Sequence, residues 1–191
     1  GDDLRRVHWP SSARHGDLQV RQFRPPRHGR LSVIIDTRPP GDQTSMLDVT
    51  TSIAGSIAAA VLAAGDAIRI ETTDGRSTPL MLGRSHLDDM LEFLALLDGG
   101  SSRINPEVPV GSGTVVAVSA DPRVATDIAA RQTLGRRLRA RVVVTVDAAN
   151  WAPAGSTSTA GSHRTGDWIH LTGAGQLASH WRLDSLIKAG A

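Results

Sequence analysis

The sequence predicts an α/β domain of three layers, Rossmann-like, on a mostly parallel sheet with one antiparallel edge strand. Three observations predict it. The runs LSVIID (31–36), TVVAVSA (114–120) and RVVVTVD (141–147) are continuously apolar, as strands buried on both faces are. Helical patterns alternate with them, which implies right-handed crossovers and helices on both faces. Asp74-Gly75, between 67–73 (AIRIETT) and 77–82 (STPLML), marks a hairpin and hence the single antiparallel edge.

The elements follow in order. Residues 1–30 form a basic arm, in which Trp9-Pro10 and Pro25-Pro26 bracket an alternating segment, Leu18 and Val20, fit for an edge strand. The domain proper runs over 31–191. After the first strand a Pro-Gly loop (39–42) leads to a helix over about 44–64. Its apolar positions Val49, Ile53, Ile57, Ala60, Val61 and Ala64 recur every three to four residues, and Gly65 is placed to cap it. The hairpin comes next, then an amphipathic helix over 86–97 with Leu87, Met90, Leu91, Leu94 and Leu97 on one face. A Gly/Ser/Pro loop spans 98–113. The strand 114–120 is followed by a helix over 122–137, and the strand 141–147 by a long loop of small residues, 148–166. WIHLT (168–172) is the last strand and 176–188 the last helix.

Composition narrows the function classes. With 191 residues the chain buries about 70% of its unfolded surface and needs no covalent staple. It has no cysteine, which excludes disulfides, thiolate metal sites and cysteine nucleophiles. The net charge is only +2 although the pI is 10.3, because Tyr and Cys are absent and Lys188 is the single lysine. Charge is uneven: residues 1–30 carry seven arginines against three aspartates. That arm (Arg5, Arg6, Arg14, Arg21, Arg24, Arg27, Arg30) admits contact with an anionic membrane or nucleic acid. With only 3% aromatics, stacking platforms for single strands are scarce, and no specific nucleic-acid partner is expected. The uncharged stretch 49–65 is short for a membrane span and carries Thr50, Thr51, Ser52 and Ser56, so it reads as a helix buried against a sheet.

The first residues carry a motif. Gly1-Asp2-Asp3-Leu4-Arg5-Arg6-Val7-His8-Trp9, then Ser12-Ala13-Arg14 and a leucine-valine-arginine strand (Leu18, Val20, Arg21), resemble the signature of the bacterial domain-of-unknown-function family 58. The resemblance implies a von Willebrand factor A-type fold. It also implies a longer parent protein, with an upstream pair of membrane helices and a small β-rich segment, and this domain on the cytoplasmic side of the cell membrane. Members are typically encoded beside a MoxR-type AAA+ ATPase, so the implied role is a partner in protein assembly or maturation. Within the motif, Asp2 and Asp3 beside Arg5, Arg6 and Arg14 read either as a clamp fastening the arm, with Trp9 as anchor, or as a docking surface or hinge. Acid–base work by Asp2, Asp3 and His8 is chemically conceivable, but no nucleophile or cofactor pocket accompanies them.

In such a sheet ligands bind beyond the carboxyl ends of the strands. The related adhesion domains hold Mg²⁺ or Mn²⁺ there through D-x-S-x-S after the first strand, a later threonine and a later aspartate. This chain has Asp36-Thr37-Arg38-Pro39-Pro40: the acid is kept, while an arginine and a proline stand at the serine positions. Asp121 matches the last acid. Neither metal nor cofactor is expected. The residues instead suggest that Arg38 takes the cation's place, pairing with Asp36 and Asp121, or else points to solvent.

Other motifs fail on context. Gly173-Ala174-Gly175-Gln176-Leu177-Ala178 has a dinucleotide-binding order, but too little chain follows for the second strand and its ribose-binding acid, so it reads as a tight turn. Gly111-Ser112-Gly113 precedes a strand instead of following one. No G-x-S-x-G or H-E-x-x-H occurs, and His163, His170 and His180 lack metal spacing. The expected function is a non-catalytic protein-interaction module with a face at Asp36, Arg38, Asp42 and Asp121. A hydrolase using acids in that crevice, and an arm that contacts anions, are the alternatives.

Overall fold

Branched apolar side chains in unbroken runs favour strands whose two faces are both covered, and three such runs build the centre of the sheet. In the computed structural model the described residues are 29–38, 45–99, 113–133, 140–153, 155–156 and 161–181. The arm's motif and Asp42 lie outside them. The strands are β1 (Arg30–Ile35), β2 (Ala67–Thr72), β3 (Met81–Leu82), β4 (Thr114–Ser119), β5 (Ala140–Val146), β6 (His163–Thr165) and β7 (Trp168–Leu171). They form one sheet in the order β3-β2-β1-β4-β5-β7-β6. The five central strands pair in parallel. Gly113 admits the close approach of β1 and β4: a Cβ there would sit 2.5 Å from the carbonyl oxygen of Arg30.

Both ends of the sheet are antiparallel, where one such edge was expected. The additional one is β6, inside the span read as a small-residue loop; three residues between turns are too short to register as an alternating pattern. The other edge, β3, is shorter than expected. Ladder contacts join Glu71 to Ser77 and Ile68 to Met81, so three steps on β2 oppose four on the returning chain. The extra residue falls at Thr78–Leu80, where Pro79 has no N–H to donate. The Thr78 hydroxyl accepts from the Ile70 amide at 3.0 Å in compensation. At the hairpin tip Gly75 takes φ +95°, as the Asp-Gly pair foretold.

Helices α1 (Ser45–Ala63) and α2 (Leu87–Ala95, after a 3₁₀ turn at Arg84–His86) cover one face; α3 (Pro122–Thr133) covers the other. Gly65, at φ +79°, ends α1: its amide bonds the Leu62 carbonyl and that of Asp66 the Val61 carbonyl, the paired closure of a glycine-capped helix. Met46–Ala63 is long and apolar enough to cross a membrane by length and composition, yet Ile53, Ala54, Ile57, Ala58, Val61 and Leu62 are buried within this fold. The buried stripe is wider than the expected one, because α1 meets the sheet on one side and α2 on another; Val49 and Ala60 are only half-buried and Ala64 is exposed. On α2, Met90 and Leu94 are buried as expected, while Leu91 is 44% exposed. The last helix, α4 (Leu177–His180), stops where Trp181 turns extended, and the expected continuation to Lys188 lies outside the described residues.

Candidate functional site

The carboxyl ends of the parallel strands carry one polar level. Ile35 pairs with Thr72 on β2 and with Val118 on β4, so the next residues, Thr73, Asp36 and Ser119, stand side by side. The level continues through Ser119↔Thr145, Thr145↔His170 and His170↔His163, across β5, β7 and β6. By strand alternation these side chains lie on the α3 face, one step beyond the apolar cluster of Ile34, Ala117 and Val143. Thr73, Asp36, Ser119 and Thr145 are each at most 4% exposed.

Burial on this scale requires internal partners, and Asp36 has four. Its Oδ1 accepts from the Arg38 amide (3.2 Å), from Arg38 Nε (3.0 Å) and from the Thr73 hydroxyl (3.4 Å). Its Oδ2 accepts from the Ser119 hydroxyl at 2.8 Å. Thr73 Oγ1 in turn accepts from the Thr37 amide at 3.1 Å and lies 3.2 Å from the Thr37 hydroxyl. The carboxylate is therefore held by one guanidinium and two hydroxyls from three different strand ends. Arg38 is about a quarter exposed, and its Nη2 has no acceptor among the described residues.

The Arg38 guanidinium thus joins Asp36, as one of the two sequence readings had it, with Nε as its one donor to the acid. Asp121 is a different matter. Its Oδ1 accepts from the Arg123 amide at 2.8 Å and its carbonyl from the Ala125 amide, so it is the N-cap of α3. No ion pair joins it to Arg38 among the described residues. Its link to the site is indirect: Ser119 Oγ accepts from the Asp121 amide at 2.9 Å while donating to Asp36.

Thr73, Ser119 and Thr37 escaped the sequence reading. Their common signal was present, since each ends or directly follows an apolar strand run, but only the register puts them on one level. Among the described residues no group of three His, Asp or Glu is gathered to hold a metal.

At the other end of the level, His170 Nδ1 lies 3.0 Å from the Thr145 hydroxyl and its Nε2 3.7 Å from Asp147. The Asp147 carboxyl is held below its ordinary value by hydrogen bonds from the Asn150 side chain and the amides of Asn150 and Ala149, which outweigh burial. Near the hairpin tip, burial pushes Asp74 up, but hydrogen bonds from Arg76 and Thr72 outweigh it and leave its carboxyl below the ordinary range.

The family described as "Protein of unknown function DUF58" matches residues 1–152, four-fifths of the chain and all of the strand-end residues through Thr145. No curated protein matches.

Proposed function

Because the chain belongs to the DUF58 family, we propose that it is a non-catalytic protein-interaction module whose contact face is the strand-end surface around Asp36 and Arg38. The observation that carries this reading is the ion pair between them at 3.0 Å. A buried acid already accepting four hydrogen bonds is a poor general base, and a hydrolase in this crevice needs two convergent carboxylates. Asp121 spends its carboxylate on α3 instead. What the crevice offers a partner is a part-exposed guanidinium with unused donors, anchored by its own counter-ion. The central strand order, with antiparallel β3 beside β2, supports the finer von Willebrand factor A-type reading of the fold. In that reading Arg38 stands in for the metal of the adhesion domains.

The proposed partner is a MoxR-type AAA+ ATPase, and the proposed setting is a membrane-anchored parent with this domain on the cytoplasmic side; both rest on the family resemblance. The test is direct binding between the full-length parent, gently solubilised, and the purified ATPase from the same host. Arg38→Glu is expected to weaken the complex about tenfold or more by reversing a contact charge. Equal binding by the variant would move the face elsewhere, and no binding by the parent itself would remove the ATPase as partner.

A further inference from the structure

On the opposite face of the sheet, beside α1, a second site is built independently of Asp36. A cavity of about 640 Å³ opens between α1 and the segments that follow β5 and β7. Its size lies within the roughly 300–1,000 Å³ of small-molecule sites. On the α1 side Val49, Ile53 and Ile57 form an apolar wall, and the small residues Ser52, Ser56 and Ala60 leave the space open. Facing them are Trp151 and Trp181, with Leu171 and Leu177.

The far wall is fixed in place. Ala152 bridges to Gly173, its amide donating to the Thr172 carbonyl at 2.8 Å and its carbonyl accepting from the Ala174 amide at 3.0 Å. The Gln176 side chain accepts from the Thr172 amide at 2.9 Å, and Gly175 turns at φ +82°. The G-x-G-x-x-A segment is therefore the turn that shapes this wall.

Two features define the occupant. The indole Nε1 of Trp181 is buried and has no hydrogen-bond partner among the described residues, a donor that needs an acceptor. The Ser52 and Ser56 hydroxyls donate to carbonyls of their own helix at 2.7 and 2.9 Å, and neither accepts from the indole. The charge on the described lining is a single carboxylate, Asp48, with no basic side chain.

We infer that this cavity binds a small, largely apolar molecule, neutral or cationic, that presents a carbonyl or ether oxygen to the Trp181 indole. Anions such as fatty acids or phosphates are disfavoured, since nothing on the described lining compensates their charge and Asp48 repels them.

The test uses the full chain and a neutral fluorescent probe, N-phenyl-1-naphthylamine, displaced by four naphthalene derivatives. Saturable probe binding is expected. 1-Acetonaphthone should displace it about fivefold better than 1-ethylnaphthalene, which lacks the acceptor. 1-Naphthylmethylammonium should displace it about threefold better than 1-naphthoate. Trp181→Phe should erase the first preference and Asp48→Asn the second. Ser56→Phe and Ala178→Phe, both at exposed positions, should abolish probe binding with an unchanged thermal melt. Absence of saturable binding by the parent chain overturns the proposal. So does binding that survives both filling variants, and a preference for the naphthoate overturns the ligand class.

Discussion

The two faces of this sheet end differently. On the α3 face, the strand ends present a level of hydroxyls, an acid and histidines whose members at Asp36, Thr73 and Ser119 satisfy one another. On the α1 face, the same end of the sheet gives way to a groove of tryptophan and small residues in which a buried indole donor goes unanswered among the described residues. The first is closed around the acid and its hydroxyls, with only the buried Arg38 Nη2 left without an acceptor among the described residues, so its residues act on stability before they act on anything else. The second is open at the Trp181 indole, although Ile53, Ile57 and Leu171 on its walls belong to the core. A buried polar cluster and a candidate ligand site are thus distinguished by whether the partners are already inside the protein.

Substitutions sharpen the contrast, beginning with the largest effect. Asp36→Ala removes the acceptor for Arg38, Ser119 and Thr73 together and leaves a guanidinium and hydroxyls unpaired; a loss of about 3 kcal/mol is expected in urea unfolding. If Asp36→Ala melts like the parent, the cluster is not closed around the acid. Ser119→Ala breaks the link between Asp36 and the start of α3, and about 1–2 kcal/mol should be lost by the same measurement. Asp121→Ala removes only the cap of α3. It should cost about 1 kcal/mol and leave partner binding through Arg38 intact, which separates Asp121 from the contact face.

The smallest effect is pH dependence. Asp74 has a folded-state pKa below the ordinary 3.8 of its unfolded form. It therefore contributes stability that is present above that value and lost as pH falls through the folded one. Thermal melts of Asp74→Asn should lie below the parent at about pH 6, and the gap should narrow as pH falls below 3.8. A gap that is constant across this range would show that the carboxylate's charge is not what stabilises the hairpin tip.

Strong periodic signals were legible without coordinates. The apolar runs located β1, β4 and β5 to within a residue of their ends, Gly65 capped α1 and Asp74-Gly75 turned the hairpin. Short elements were not legible. The β6 strand has three residues and no apolar alternation, and β3 was shortened by Pro79, whose effect depends on which neighbour its missing N–H would have faced. The site was legible in half. Asp36 and Arg38 stood out because they occupy the acid and first serine positions of the D-x-S-x-S motif that the resemblance brings to the end of the first strand. Asp121 was assigned to the crevice on spacing alone, while its local geometry, a carboxylate one residue ahead of Pro122, served the helix instead.

The sequence by itself determined the layers: which of the longer segments are strands, which are helices, and that a parallel sheet is covered on both faces, because these follow from side-chain period and composition over six or more residues. Tertiary structure alone decided the level of Thr73, Asp36, Ser119, Thr145 and His170. They lie on five strands far apart in the chain, and only the register of the parallel pairs makes them neighbours. The groove beside α1 was likewise beyond the sequence. Its walls come from residues about a hundred positions apart, and the far one is held by the bridge between the loops after β5 and β7.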